Sequence, residues 1–224
     1  MKILIANVNP AYAELEDFLR KKFGDDVGFI KSKAELNPEA LKDLNPAYIF
    51  FPHWSDIIPK SIYSSFNCVV FHMTDLPYGR GGSPLQNLIV RGHKSTRLSA
   101  LKVAEGIDTG DIYLKKDLEL SGTATEIFVR AGELMKEMIV EIVATNPSPR
   151  QQEGEVVLFK RRKPEDSNIA ALESLEQLYD HIRMLDAKGY PHSYLETEHF
   201  RIEFTNANLE TKDILNTHVR IVKK

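Results

Sequence analysis

Apolar runs of strand length alternate with helix-patterned segments through the first two thirds of the chain, and no other feature narrows the possible folds as much. "KILIANV" (2–8), "VGFIKS" (27–32), "AYIFFP" (47–52) and "NCVVF" (67–71) have the bounded, β-branched or aromatic character of buried strands. "AYAELEDFLRKKF" (11–23) carries Leu15, Phe18 and Leu19 at helical spacing, and "NPEALKDL" (37–44) starts a short helix behind Asn-Pro. This alternation predicts an α/β domain, Rossmann-like, with a mainly parallel sheet and helices on its faces. The first strand-to-helix turn, "NVNPAY", has no glycine, so a dinucleotide fingerprint is absent and nicotinamide and flavin cofactors are not expected.

Further along, "STRLSALKV" (95–103) and "DIYLKKDLEL" (111–120) alternate like two edge strands flanking a turn, and residues 123–145 form a long amphipathic helix. "TNPSPRQQEG" reads as a loop and "EVVLFK" (155–160) as a strand. A boundary is expected just after it, at "RRKPEDSN", giving a larger domain over 1–160 and a small α+β subdomain over 161–224. In the latter, "LESLEQLYDHIRML" is a helix, and "SYLET" with "FRIEFTNA" a small antiparallel pair.

Charge and cysteine content bound the partners. With 29 basic against 32 acidic side chains the net charge is −3, which argues against a dedicated nucleic-acid binder. The one cysteine, Cys68, allows neither an intrachain disulfide nor a cysteine-based metal site, and no metal is expected. No apolar stretch reaches the length of a signal-peptide core or a membrane span, so a cytoplasmic, membrane-free protein is expected.

Two short stretches carry the chemistry. In "FHMTDLPYGRGGSPLQN" (71–87), His72 ends an apolar run, and strand ends in open α/β sheets are where ligands bind. The bend after it joins Gly79, Gly81 and Gly82 to Arg80, and Ser83-Pro84-Leu85-Gln86 has the pattern of a capping box, with backbone N–H groups directed outward at an anion. "EGIDTGDI" (105–112) sets Asp108 between Gly106 and Gly110, at the turn between two strands. An aspartate there serves a turn well enough by itself, yet beside a strand-end histidine it also makes a base and its orienting partner.

These stretches resemble the folate-dependent formyltransferase family, which includes methionyl-tRNA, glycinamide ribonucleotide and amino-sugar N-formyltransferases. The family's N-x-H-x-S-L-L-P, R-G and G-L-D-T-G-D correspond to Val70 through Pro77, Arg80-Gly81 and Gly106 to Asp111, with Asp108 36 residues after His72. The tail "KRRKPEDSNI … HIRMLDAKGYPHSYL" looks like that of the amino-sugar enzymes. The resemblance implies a formyltransferase fold, N10-formyltetrahydrofolate as donor and an amine as acceptor. His72 is then the general base and acid, with Asp108 holding its imidazolium. Donor contacts fall on Trp54, Ser55, Asp56, Ile57 and Ile58, and on Glu105, Gly106, Ile107 and Asp108. Arg80, Gly81, Gly82 and Ser83 fall on the acceptor side.

One departure stands out. The family's asparagine two residues before the histidine, an oxyanion donor, is Val70 here, and Asn67 lies at an offset that puts it on the opposite strand face. His53 or a backbone N–H is the expected substitute. Residues 151–224 hold 11 basic and 13 acidic side chains, a poor surface for a tRNA backbone, so a nucleotide-linked amino sugar is the expected acceptor. A methionyl-tRNA formyltransferase, a formyl-folate hydrolase and a non-catalytic folate or sugar-nucleotide binder are the alternatives, and a homodimer is left open.

Overall fold

The computed structural model describes residues 1–7, 12–54 and 56–224. In chain order the strands and helices are β1 (Ile3–Asn7), α1 (Ala13–Phe23), β2 (Val27–Ile30), α2 (Pro38–Leu44), β3 (Tyr48–His53), α3 (Lys60–Tyr63), β4 (Cys68–His72), β5 (Tyr78–Gly81), α4 (Pro84–Ile89), β6 (Ser95–Lys102), β7 (Ile112–Glu119), α5 (Ala124–Thr145), β8 (Val157–Phe159), α6 (Leu175–Arg183), β9 (Ser193–Glu196), β10 (Phe200–Thr211) and β11 (Ile214–Lys223). The turn "NVNPAY" falls largely outside the described residues.

The chain forms two compact units, each assembled from separate stretches. Met1–Arg80, Arg97–Leu118 and Val129–Val157 form the first; Gly81–Thr96, Glu119–Phe128 and Leu158–Lys224 form the second.

The first unit is built on a six-stranded sheet of order β2-β1-β3-β4-β6-β7. β1 runs parallel to β2 and β3, and β3 parallel to β4, while β6 is antiparallel to β4. The expected mainly parallel α/β sheet is therefore present. Of the two strands anticipated at an edge, only β7 occupies one; β6 lies between β4 and β7, which suits its buried run Leu98–Leu101. Alternation along the strands sends Leu4, Ala6, Ile49, Phe51 and Cys68 to one face, where Leu41 of α2 and Ile62 of α3 cover them. On the opposite face the Tyr48 hydroxyl donates to Asn146 Oδ1 at 2.6 Å, just past the end of α5. Lys136 of α5 lies over the Phe18 ring of α1, which brings these two helices side by side.

Because β2 lies on one side of β1 and β3 on the other, the chain reverses direction across the sheet between β1 and β3. Open α/β sheets bind ligands in the crevice outside the carboxyl ends of the strands at such a reversal. Three polar side chains stand at those ends: Asn7 on β1, His53 on β3 and His72 on β4.

In the second unit, α6 begins at Ser174, whose side chain accepts from Gln177 N, and packs on the sheet β11-β10-β9. The expected antiparallel pair is thus part of a three-stranded sheet. Arg183 on α6 is only 3% exposed; its guanidinium donates to Asp180 at 2.6 Å and to the carbonyls of Leu120 and Gly122 at 2.6 and 2.8 Å. No helix among the described residues is long and apolar enough to cross a membrane.

Candidate active site

His72 closes β4 because the strand's apolar run stops there, and the residue is 7% exposed. Nδ1 lies 3.5 Å from Asp108 Oδ2, an ion-pair distance, and Nε2 lies 2.8 Å from the Gly79 carbonyl oxygen. Both neighbours only accept hydrogen bonds.

Asp108 reaches the ring from the β6–β7 turn. It adopts φ +54, in the left-handed region that short polar side chains tolerate better than most. Thr109 Oγ1 donates to the Glu105 carbonyl at 2.7 Å, and Lys102 N donates to Asp111 O at 2.8 Å at the base of the turn. Gly110 is required by close approach: a Cβ there would lie 1.7 Å from the Lys102 carbonyl oxygen. The pair expected from the spacing of "FH" and "GIDTGD" is thus brought together.

Gln152, which sequence reasoning did not single out, joins this group. Its Nε2 donates to the carbonyls of Asp108 and Gly110 at 2.8 and 2.7 Å, and its Oε1 accepts from Arg80 Nε and Nη2 at 3.1 and 2.8 Å. No periodicity marks it, since it lies in a loop of Pro, Arg and Gln. Asn7 was also missed; it is 3% exposed, pairs in register with His53 and donates to Glu16 at 2.9 Å. Its one sequence signal is an asparagine ending the first apolar run.

Val70 shares a strand face with His72 two residues away, and it packs against the apolar cluster that includes Cys68 and Phe51. The Asn67 amide is turned to the Ala47 carbonyl at 3.1 Å. His53 stands two residues past Phe51 as His72 stands two past Val70, and Phe51 and Val70 are register partners. Its ring stacks on Tyr12, and burial holds its imidazole below the ordinary histidine value, so the neutral form prevails at pH 7.

The glycine-rich bend departs from expectation. Ser83 has φ +51 and makes no side-chain cap; its Oγ instead accepts from Arg162 N, and Gln86 donates to the Met184 carbonyl. A capping box therefore does not form, since Ser83 lacks the extended backbone that points a cap oxygen into the first turn. Nor is the Gly82 N–H directed at an anion, because it donates to the Phe159 carbonyl at 3.1 Å. Glycine is needed at 81 and 82 for packing: added Cβ atoms would lie 2.4 Å from Phe159 O and 2.5 Å from Arg161 Cβ.

Of the expected donor contacts, Ser55 lies outside the described residues. Trp54 and Ile58 pack on the apolar cluster, Asp56 pairs with Lys33 at 3.4 Å, and Ile57 is 86% exposed. Across from it, Lys60 and Glu105 approach to 3.8 Å, tying this segment to the Asp108 turn, where Ile107 is 71% exposed and Gly106 takes φ +98. Trp54 Nε1 is buried with no hydrogen-bond partner. Two exposed isoleucines on adjoining segments and one unsatisfied buried donor fit a flat heterocycle with polar edges.

A family model described as "Formyl transferase" matches residues 19–143, and one described as "Methionyl-tRNA formyltransferase, C-terminal domain" matches 164–222. A methionyl-tRNA formyltransferase of Clostridium botulinum is 26% identical over 193 residues, covering 83% of this chain. The chain spans 62% of that relative's length. A solved structure titled methionyl-tRNA formyltransferase, from Clostridium thermocellum, is 48% identical with a TM-score of 0.95 and full coverage of both chains. A sugar N-formyltransferase from a Shewanella species, 18% identical with a TM-score of 0.65, covers 88% of this chain and 93% of its own, a likeness of fold.

Proposed function

The chain belongs to the formyl transferase family, and from that membership we propose that it transfers a formyl group from N10-formyltetrahydrofolate to a primary amine. The observation that carries the reading is the His72–Asp108 pair at the carboxyl end of β4, inside the matched region. When bound, the donor supplies a formyl carbon activated for attack, whose oxygen gathers negative charge as the amine adds. His72 takes up the proton the amine sheds, faces the developing charge as an imidazolium, and returns that proton to the folate nitrogen as the bond from that nitrogen to the formyl carbon breaks. Asp108 holds that cation through Nδ1, which leaves Nε2, resting on the Gly79 carbonyl, as the nitrogen able to turn to substrate. His53, neutral at working pH, is the side-chain donor proposed in place of the missing asparagine. Trp54, Asp56, Ile57 and Ile58, with Glu105 to Asp108, would hold the donor, and Arg80 would face the acceptor. Residues 1–160 form the catalytic domain in this reading and 161–224 a C-terminal subdomain.

The relatives favour methionyl-tRNA as acceptor over the nucleotide-linked amino sugar expected from charge balance. The 48% identity runs over the whole chain, whereas the likeness to the Shewanella sugar enzyme is one of fold. Net charge averages over the chain, but Lys160-Arg161-Arg162-Lys163 is a local basic run with three exposed members, the kind of segment that contacts a phosphate backbone. The test supplies N10-formyltetrahydrofolate with methionyl-tRNA, glycinamide ribonucleotide and a panel of UDP- and dTDP-linked amino sugars, and reads the mass gain of one formyl group. Methionyl-tRNA should be formylated, and His72→Asn and Asp108→Asn should each abolish nearly all transfer in folded protein. Preferential formylation of a sugar would reverse the acceptor, and formate release without any acceptor would make the protein a hydrolase.

A further inference from the structure

Gln152 touches neither ring nitrogen of His72, yet it is bonded to the segments that supply both of the ring's acceptors. One acceptor is the Asp108 carboxylate, and the Asp108 carbonyl takes a hydrogen bond from Gln152 Nε2 at 2.8 Å. The other is the Gly79 carbonyl, and the next residue, Arg80, gives two hydrogen bonds to Gln152 Oε1. With the second Nε2 bond to Gly110 O at 2.7 Å, every donor and acceptor of the amide is used. The amide can therefore sit only one way round, since a flip would set its oxygen against two carbonyls and its N–H groups against a guanidinium.

The loop that carries Gln152 is itself fixed. Arg150 and Ile112 exchange hydrogen bonds at 2.9 and 2.7 Å, which seats the loop on the start of β7 just beyond the Asp108 turn. Asp108 needs such support because a non-glycine residue at φ +54 persists only where its surroundings determine it.

We propose that Gln152 is a positioning residue, whose side-chain amide sets the separation of Asp108 and Gly79 and thereby holds His72 between two acceptors. The role rests on the reading of His72 and Asp108 as the reacting pair. The geometry predicts that the amide is needed at both ends. A glutamate could still accept from Arg80 but would donate nothing to Asp108 and Gly110, and would press a charged oxygen on their carbonyls.

The experiment compares Gln152→Ala, Gln152→Met and Gln152→Glu with the unaltered chain by two readouts. The first is the ring N–H signals of His72 in ligand-free, 15N-histidine-labelled protein, assigned by their loss in His72→Asn. The second is the split of kcat and KM in formyl transfer. All three variants should fold, with the His72 N–H signals broadened or lost by faster solvent exchange. kcat should fall about ten- to a hundred-fold, as a displacement approaching 1 Å implies, with KM for the donor within about twofold. Unchanged His72 signals in the folded alanine or methionine variant would overturn the proposal. So would Gln152→Glu behaving like the unaltered chain, since anchoring Arg80 would then suffice. Unfolding of all three counts against it too, because a positioning role leaves the fold standing. The NMR readout needs no substrate, so altered His72 signals in a protein that transfers no formyl group would fault the proposed reaction and leave the positioning intact.

Discussion

Replacing Gly110 by alanine tests whether the Asp108 turn is held by close packing. An added Cβ would lie 1.7 Å from the Lys102 carbonyl oxygen and 2.8 Å from its carbon. Ordinary carbon-to-oxygen contacts begin near 3.3 Å, so the two backbones must part by about 1.5 Å. That motion breaks the Lys102 N to Asp111 O bond and draws Asp108 and Gly110 away from Gln152. Three hydrogen bonds at about 1 kcal/mol each give about 3 kcal/mol, and the stiffer unfolded chain of alanine returns about 0.5. The net loss of about 2.5 kcal/mol is a large share of the 5–15 kcal/mol typical of a folded protein. The measurement is urea unfolding of Gly110→Ala beside Gly92→Ala, whose site has φ +80 and nothing within 4 Å of the added Cβ. Gly92→Ala should cost only the backbone strain of about 1 kcal/mol. Formyl transfer by Gly110→Ala should fall by at least about a hundredfold. Equal destabilisation of the two variants, or a Gly110→Ala loss under about 0.5 kcal/mol, would refute the packing argument.

Arg183→Leu should destabilise the protein by about 2–4 kcal/mol in the same denaturation, because it leaves the Leu120 and Gly122 carbonyls without their donor and Asp180 with Lys94 at 4.0 Å; a loss below about 1 kcal/mol would contradict that. Val70→Asn should give no large gain in formyl transfer and should lower the urea midpoint, since the side chain packs on apolar neighbours; a tenfold faster enzyme would show that the asparagine position is still usable. Burial holds His53 and His181 below the ordinary histidine value, so below about pH 6.5 the unfolded chain binds protons that the folded chain resists binding. The associated stability is intact above that pH and is lost as pH falls. Urea midpoints should drop between pH 7.5 and 5.5 and drop less in His181→Gln; a midpoint that rises on acidification would be inconsistent with the half-buried neutral rings.

The sheet was legible because a parallel strand buried on both faces writes itself as a continuous apolar run, as in "AYIFFP" and "NCVVF". His72 and Asp108 were legible for a related reason: each sits where an apolar pattern stops, one at a strand end and one in a turn flanked by glycines. Gln152 and Ser83 were not, because their partners lie 42 to 79 residues away and only tertiary structure selects them. The bend at 79–83 misled for the same cause. Its glycines read as an open turn, but Phe159 and Arg161, supplied by a distant segment, fill the space where side chains would be. The strand at 214–223 is written only in the alternation of Leu215, Thr217, Val219 and Ile221, since the Lys212-Asp213 turn before it lacks the glycine that marks a tight hairpin.

Each unit is stitched from three lengths of chain, and that bears on the order in which a ribosome can deliver a finished structure. The central sheet has five of its six strands by Lys102, but its unit needs chain as far as Val157, after two lengths belonging to the other unit have emerged. The carboxylate that faces His72 arrives 36 residues after it, and the amide bonded behind that carboxylate another 44 later. Contacts this distant along the chain close late and slowly. The nascent strands therefore spend a long interval with apolar faces uncovered, the condition under which chaperones engage a growing chain. The same stitching means that cutting the polypeptide at one point releases neither unit whole.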